Sequence, residues 1–151
     1  MKRTLLFLLL IFVAFGCKKE NRIEKNLWKN GGEWNIVTWD ERATSTYFPE
    51  DNYAEIMHNP GYLKFKEDGT GSIVFTEGSS PYIEGFKYQN TENTLTIFDE
   101  YGEGTVFDLD WKKNKMTLSF NKSDTYITGD GDGGQVTVYF THKLVISCEK
   151  K

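Results

Sequence analysis

The chain has 151 residues, of which 22 are acidic and 18 basic, so its formal net charge is −4. A chain of this length is enough for one domain. The acidic balance, without a clustered basic face, argues against nucleic-acid binding, because phosphates are recognised by Lys and Arg.

The N-terminal segment differs in character from the rest of the chain. Lys2 and Arg3 precede an uncharged apolar run of eleven residues, from Leu5 to Phe15. This run is shorter than the roughly 20 residues that a membrane-spanning helix needs. A basic start followed by a short apolar run is typical of a signal peptide, which we predict over residues 1–16.

Two small residues, Ala14 and Gly16, stand shortly before Cys17 in the order Ala14-Phe15-Gly16-Cys17. This ending resembles the lipobox of bacterial lipoproteins, and the resemblance implies that Cys17 is lipidated and becomes the first mature residue. Residues 17–26 then form a polar tether. By the same resemblance, Lys18 after the cysteine implies the outer membrane; the side of that membrane, periplasmic or surface, stays open. Cleavage would leave 16 basic against 22 acidic residues, a net charge of −6.

From residue 33 onward, short segments of alternating polar and apolar residues are separated by turn residues, a pattern typical of all-β proteins. A helical turn is expected over residues 23–29, where Ile23 and Leu27 are spaced i, i+4. Residues 42–60 and 121–135 are expected to be irregular. Eight strands are predicted, over residues 33–41, 62–66, 71–76, 82–89, 94–99, 105–111, 116–120 and 136–148.

The tight turns between successive strands favour an up-and-down antiparallel meander. Eight such strands can close into a barrel, which removes both exposed edges of the sheet. A barrel of this size is either filled by side chains or holds one small ligand. A flat sandwich is the alternative, because alternation of residues does not reveal closure.

The opening of the first strand, Gly32-Glu33-Trp34, resembles the Gly-x-Trp motif of lipocalins. The segments 65–71, 93–97 and 114–118 are similar to phrases repeated in lipocalin-like domains of bacterial lipoproteins. The resemblance covers about residues 27–146 and implies a lipocalin-like barrel domain over residues 27–151. It also implies that Trp34 plugs the closed base of the barrel, with a basic residue of the last strand, Lys143, packed across it. Members of this family mostly lack an assigned activity, so the resemblance implies a fold more than a function.

Aromatic side chains recur on single strand faces and therefore line either a cavity or a filled core. An aromatic cavity would bind a small apolar or amphipathic ligand, with Tyr hydroxyls to orient it. A filled core is the alternative, since aromatic residues dominate core burial in any case. The residues concerned are Trp34, Phe65, Phe75, Tyr82, Phe86, Tyr88, Phe107, Trp111 and Phe120.

The alternative function is that of a structural lipoprotein that contacts an envelope protein partner. Its contact surface would be formed by residues 42–60 and 121–135, where Tyr47, Phe48 and Tyr53 suit a protein interface.

The sequence predicts no catalytic site, metal site or cofactor. His142 and Cys148 are six residues apart on one strand, about 20 Å at ~3.3 Å per residue, too far for a Cys–His pair. The Asp- and Gly-rich segment 130–134 lacks the closing Glu of a calcium loop. Asp108 and Asp110 alternate with apolar residues and are expected to face water. We therefore expect a membrane-anchored binding protein of the cell envelope that is not an enzyme.

Overall fold

The computed structural model describes residues 23–76 and 80–151. The predicted signal peptide, the lipidation site Cys17 and most of the predicted tether lie outside the described residues. Among the residues that are described, no helix has both the length and the apolar character required to cross a bilayer.

Eight antiparallel strands follow one another around a closed barrel, and each strand pairs with the next in the chain. The last strand also pairs with the first, which completes the closure. The predicted all-β, up-and-down, eight-stranded barrel with a short N-terminal helical turn is confirmed, and the closure excludes the flat sandwich. The strands are β1 (Glu33–Ser45), β2 (Tyr53–Phe65), β3 (Thr70–Phe75), β4 (Tyr82–Asn90), β5 (Thr94–Phe98), β6 (Gly104–Lys112), β7 (Lys115–Gly129) and β8 (Gln135–Lys150).

The N-terminal helical turn spans residues 23–28 and continues as a 3-10 turn over Lys29–Gly31. Ile23 and Leu27 are both buried, as their i, i+4 spacing requires if one face of the turn covers the barrel. Gly32 connects the turn to β1 with a φ of +68°, and a Cβ at that position would lie 2.0 Å from the carbonyl oxygen of Phe65. Only glycine therefore allows the helical turn to approach β2 this closely.

Four strands are much longer than the other four. β1, β2, β7 and β8 contain 13 to 16 residues, whereas β3 to β6 contain 5 to 9. The prediction that residues 42–60 and 121–135 are irregular is therefore largely wrong, because only residues 46–52 and 130–134 lie outside strands. Polar residues on the inner face, such as Glu41 and Lys122, obscure the alternation of polar and apolar residues there. These segments form strands because they pair with segments elsewhere in the chain.

A bulge interrupts the β1–β2 pairing, where the register shifts between Ile36 and Thr38. On the β2 side, Asn59 has a φ of +53°, and it precedes Pro60, which cannot donate a backbone hydrogen bond. The segment Asn59-Pro60-Gly61 is thus an irregularity inside β2, a position in which proline is tolerated.

The base of the barrel is closed around Trp34, whose side chain is fully buried. Its indole Nε1 donates a hydrogen bond of 2.9 Å to the carbonyl oxygen of Leu27 in the helical turn. The ring of Trp111 meets it edge to face, with centroids 4.8 Å apart. The Lys150 Nζ lies 4.9 Å from the Trp34 ring centroid and also donates to the carbonyl oxygen of Asn26. Trp34 therefore joins the helical turn to the first, sixth and last strands.

The predicted pairing of Trp34 with Lys143 is wrong. Lys143 is exposed and lies opposite Arg42, whereas the residue opposite Trp34 is Lys150. The prediction failed because β8 continues to Lys150, two residues beyond the end predicted from the apolar pattern. The basic residue across the tryptophan comes from this continuation.

This correction can be tested with a matched pair of substitutions on one strand. Lys150→Met removes the cation over the Trp34 ring and the bond to Asn26, and should lower the free energy of unfolding by ~1–2 kcal/mol. Lys143→Met changes an exposed side chain and should cost no more than about 0.5 kcal/mol. Urea titrations followed by circular dichroism measure both, and an equal or larger loss for Lys143→Met would contradict the assignment.

Candidate functional site

The half of the barrel interior nearest the base is filled. Buried side chains from most of the strands form one core cluster with Trp34 there, among them Leu95, Met116, Leu118 and Cys148. Cys148 is 2% exposed, and burial raises the pKa of its thiol to about 12. The cysteine therefore stays a protonated, unreactive core residue at neutral pH.

A cavity of about 670 Å³ lies beyond this filled half. Most of its wall is apolar, and the apolar side chains come from all eight strands, so the cavity belongs to the barrel interior and not to one loop. These side chains are Trp39, Leu63, Ile73, Phe75, Phe86, Ile97, Val106, Phe107, Phe120 and Ile146.

Charged groups occupy a smaller part of the cavity wall. Three carboxylates, Glu84, Asp99 and Glu103, come from β4, the end of β5 and the turn that precedes β6. One ammonium group, that of Lys122 on β7, completes the charged lining. An apolar wall with a few charged groups has the composition of a site for an amphipathic molecule.

The barrel wall is incomplete beside these carboxylates. β5 pairs with β4 only over Lys87–Asn90, so residues 82–86 of β4 have no β5 partner among the residues that the structure describes. A second hollow of about 540 Å³ lies at the same place, and Phe86 and Asp99 line both hollows. The gap between β4 and the β5–β6 turn is therefore a side opening into the interior.

The nine predicted aromatic residues divide between the base, the core, the cavity and its edge. Trp34 and Trp111 belong to the base, and Phe65 and Tyr88 pack edge to face in the core with centroids 5.0 Å apart. Tyr82 is 58% exposed and stacks on Phe75 at 6.4 Å. Cavity lining and core packing, which the sequence left as alternatives, thus coexist. The cavity is lined by Phe75, Phe86, Phe107 and Phe120.

Several cavity residues were not predicted. Trp39 was missed because the bulge after Ile36 changes which β1 residues face inward, and a period of two cannot show such a shift. Glu84, Asp99 and Lys122 were missed because charged residues in a strand are ordinarily assigned to the outer face. The one sequence signal concerns Glu84, which is two residues from both Tyr82 and Phe86 and therefore shares their face of the strand.

Glu41 holds part of the cavity wall in place through three hydrogen bonds. It accepts bonds from the Tyr53 hydroxyl at 2.8 Å and from the Trp39 Nε1 at 3.0 Å. The His142 Nε2 lies 2.8 Å from the same carboxylate, and the His142 ring meets that of Phe120 edge to face at 5.5 Å. Trp39 and Phe120 both line the cavity, so this cluster fixes two of its aromatic walls.

The electrostatics of the cluster favour an ionised Glu41. Burial raises the pKa of its carboxyl, but the bonds from Tyr53, Trp39 and His142 together outweigh burial and hold that pKa below its ordinary value. Burial and the adjacent carboxylate raise the pKa of Tyr53 to about 12, so its hydroxyl remains a donor.

The loop aromatics expected at a protein interface are engaged within the fold. The Tyr47 hydroxyl donates to the Asp130 carbonyl oxygen at 3.0 Å, and the Tyr47 and Phe48 rings pack edge to face at 4.8 Å. Tyr53 belongs to the Glu41 cluster. The loop of residues 46–52 therefore ties the end of β1 to the β7–β8 turn and does not present free aromatic side chains.

Within residues 23–76 and 80–151, no three His, Cys, Asp or Glu side chains group closely enough to hold a metal ion. Asp108 and Asp110 are exposed on the outer face of β6. Comparison of the chain with protein-family models, with curated proteins and with solved structures finds no match. The barrel and its cavity are therefore the basis for inferring function.

The Glu41 cluster predicts a specific pH dependence. Since the folded pKa of Glu41 lies below its ordinary value of 4.5, its contribution to stability is complete above that value and is lost as the pH falls through the folded pKa. Glu41→Gln should therefore lower the free energy of unfolding by ~1–2 kcal/mol at neutral pH. This difference from wild type should disappear in acid, as measured by urea titration across pH.

Glu67→Gln is the matched control, because Glu67 is exposed in the turn between β2 and β3. It should leave stability within about 0.5 kcal/mol of wild type at each pH. A loss for Glu41→Gln that persists undiminished in acid would show that its charge is not what stabilises the cluster.

Proposed function

We propose that the protein is a membrane-anchored lipoprotein whose lipocalin-like barrel binds one small apolar or amphipathic molecule without transforming it. The observation that carries this proposal is the cavity of about 670 Å³ lined by ten apolar side chains. Its volume falls within the ~300–1,000 Å³ of typical small-molecule sites, which are also mostly apolar with a few polar groups.

The contrast between the two halves of the barrel supports a ligand site over a filled core. The base half contains fully buried residues such as Leu95 and Leu118, whereas the cavity residues Ile73, Phe86 and Ile97 are only partly buried. Apolar surface left in contact with water costs ~25 cal/mol per Å², and a ligand that covers it recovers that free energy. The side opening gives such a ligand a route into the interior.

The N-terminal sequence supports the location. A signal peptide over residues 1–16 would direct export, and lipidation of Cys17 would anchor the mature chain to the outer membrane. Each buried CH₂ of an acyl chain adds ~0.8 kcal/mol, so several chains hold firmly where one does not. Since the chain is acidic, attraction to anionic lipid would not replace this anchor.

Binding can be tested with the same substitution at two places in the wall. Ile97→Trp places a larger ring in the cavity and should weaken binding of octyl glucoside, an uncharged amphiphile, by about tenfold or more, equivalent to ~1.4 kcal/mol. Ile83→Trp alters a side chain that is 64% exposed and should leave the affinity unchanged. Isothermal titration calorimetry of the full chain in lipid nanodiscs, with protein-free nanodiscs as the blank, measures both.

If wild type and both variants show no binding, the cavity is not a site for amphiphiles of this kind. That outcome would favour the alternative function, contact with an envelope protein. The outer face of β7 and β8 would be the surface to examine, because Ile127 and Tyr139 are 66% and 59% exposed there.

The anchor is tested separately by metabolic labelling of producing bacterial cells with an alkyne analogue of palmitate. We expect label on the wild-type chain and none on Cys17→Ala, because the thiol of Cys17 is the predicted acceptor. Cys148→Ala is the matched control and should keep full label, since Cys148 is buried in the core. Label that depends on Cys148, or that persists in Cys17→Ala, would contradict the proposed anchor.

A further inference from the structure

We infer that the base of the barrel faces the bilayer and that lysines at the base bind anionic lipid head groups, so that the open end points away from the membrane. This inference rests on the membrane anchor of the proposed function and adds to it an orientation and a lipid-binding surface.

Negative charge is concentrated at the open end of the barrel, the end farther from Trp34. Three of the loops there contain seven acidic residues and no Lys or Arg: residues 46–52, 99–103 and 130–134. An anionic lipid surface would repel this end of the molecule.

Positive charge is concentrated on one side of the base. Three segments there contain six exposed lysines, one partly buried lysine and three acidic residues: residues 23–33, 112–115 and 149–151. The other two turns at the base, residues 66–69 and 90–93, contain one lysine and three acidic residues. The net negative charge of the chain therefore conceals a separation of charge between the two ends and a basic side of the base.

Backbone contacts join the three basic segments into one surface. Lys150 donates from its backbone N–H to the Asn114 carbonyl oxygen in the β6–β7 turn, at 2.8 Å, and from its Nζ to the Asn26 carbonyl oxygen in the helical turn. The Lys151 backbone N–H donates to the Glu33 carbonyl oxygen at 3.1 Å. The six exposed lysines of this surface, which we call the base patch, are Lys25, Lys29, Lys112, Lys113, Lys115 and Lys151.

Half of the base patch is without an acidic partner. Among the described residues, Lys25, Lys29 and Lys113 form no ion pair, whereas the other three lysines each pair with a carboxylate. Burial, and after it the positive charge of Lys29, lowers the pKa of Lys150, as expected where positive charge is not fully compensated. Exposed lysines of this kind attract the phosphates of an anionic bilayer.

The position of the predicted anchor is an independent observation that points to the same end. Ile23 is buried in the helical turn that covers the base, and it follows the predicted lipidation site Cys17 by six residues. Six residues span at most ~20 Å, even fully extended. β8, with 16 residues of ~3.3 Å each, is more than twice as long, so an anchor at Cys17 holds the base and not the open end at the bilayer.

Anchor and charge therefore favour one orientation. The lipid chains hold the protein at the membrane, and attraction of the base patch together with repulsion of the acidic loops keeps the barrel upright. The side opening lies beside the β5–β6 turn, at the acidic end of the barrel. A ligand would thus enter the cavity from the aqueous side and not from the bilayer beneath.

The experiment measures how fast N-hydroxysuccinimide acetate modifies each lysine of the lipidated protein in nanodiscs, with mass spectrometry as the readout. One set of discs is made of phosphatidylcholine, and the other contains about one third phosphatidylglycerol, which is anionic. In the anionic discs, modification of Lys25, Lys29 and Lys113 should slow by about threefold or more, because lipid covers them. Lys143, which is exposed on β8 nearer the open end, should keep its rate. Salt at about 1 M, where the Debye length is ~3 Å, should abolish the difference.

The triple variant Lys25→Gln, Lys29→Gln, Lys113→Gln removes the unpaired charges of the base patch. In this variant, the anionic discs should slow modification of the remaining patch lysines Lys115 and Lys151 by less than about twofold, because the attraction that brings them to the lipid is lost. Circular dichroism checks that the variant is folded, and the comparison of the two discs with wild type decides the orientation independently of it.

The matched control is the triple variant Arg42→Gln, Lys122→Gln, Lys143→Gln, which removes the same charge nearer the open end and should leave the slowing at Lys115 and Lys151 at its wild-type value. Loss of the slowing in this control as well would attribute it to net charge and would overturn the inference. Equal rates in the two kinds of disc, or a greater slowing at Lys143 than in the base patch, would overturn the orientation while leaving the anchor intact. Absence of the protein from the discs would overturn the anchor and the inference with it, so the two failures are distinguishable.

Discussion

The pairing of β8 with β1 is the constraint on which the rest of the structure depends, because it turns an eight-stranded meander into a closed wall. Trp34 stabilises this seam at the base: it is opposite Lys150 on β8, and its indole nitrogen bonds the helical turn that covers the barrel end. Without closure, the inner faces of the strands would be open to solvent, and there would be neither a filled core nor a cavity above it. The seam continues to the pairing of Ser45 with Phe140, so it spans both halves of the interior.

Because the strands differ in length, the closed barrel has a side opening into its cavity. The four long strands form a continuous sheet. β5 has only five residues, so it leaves residues 82–86 of β4 without a partner on that side. The same feature explains why the charges are where they are. Carboxylates beside a gap in the wall keep partial contact with water, so they avoid the desolvation that full burial would impose on them. The filled base and the partly open upper half are thus two results of one arrangement of strands.

Much of the fold could be predicted from sequence, because alternation and turn residues are local signals. The eight strands, their order and the inward aromatic faces of β4 and β6 follow from spacing alone. The ends of the long strands could not be predicted, because residues such as Glu41, Lys122 and Asp124 are polar although their inner-face register is fixed by partners far along the chain. The pairing of Trp34 with Lys150 and not Lys143 likewise depends on the register between the first and last strands, which no turn connects.

The bulge in β1 has a consequence for how this chain tolerates change. Before it, even-numbered residues such as Trp34 and Ile36 face inward; after it, odd-numbered residues such as Trp39 and Glu41 do. The bulge therefore shifts the alternation of inward and outward residues in β1 by one position. A regular strand with the same residues and no bulge would leave the base intact and turn the upper part of β1 over, exposing the tryptophan and its carboxylate. The bulge at this one place thus sets which residues of the upper part of β1 line the cavity without changing those that close the base.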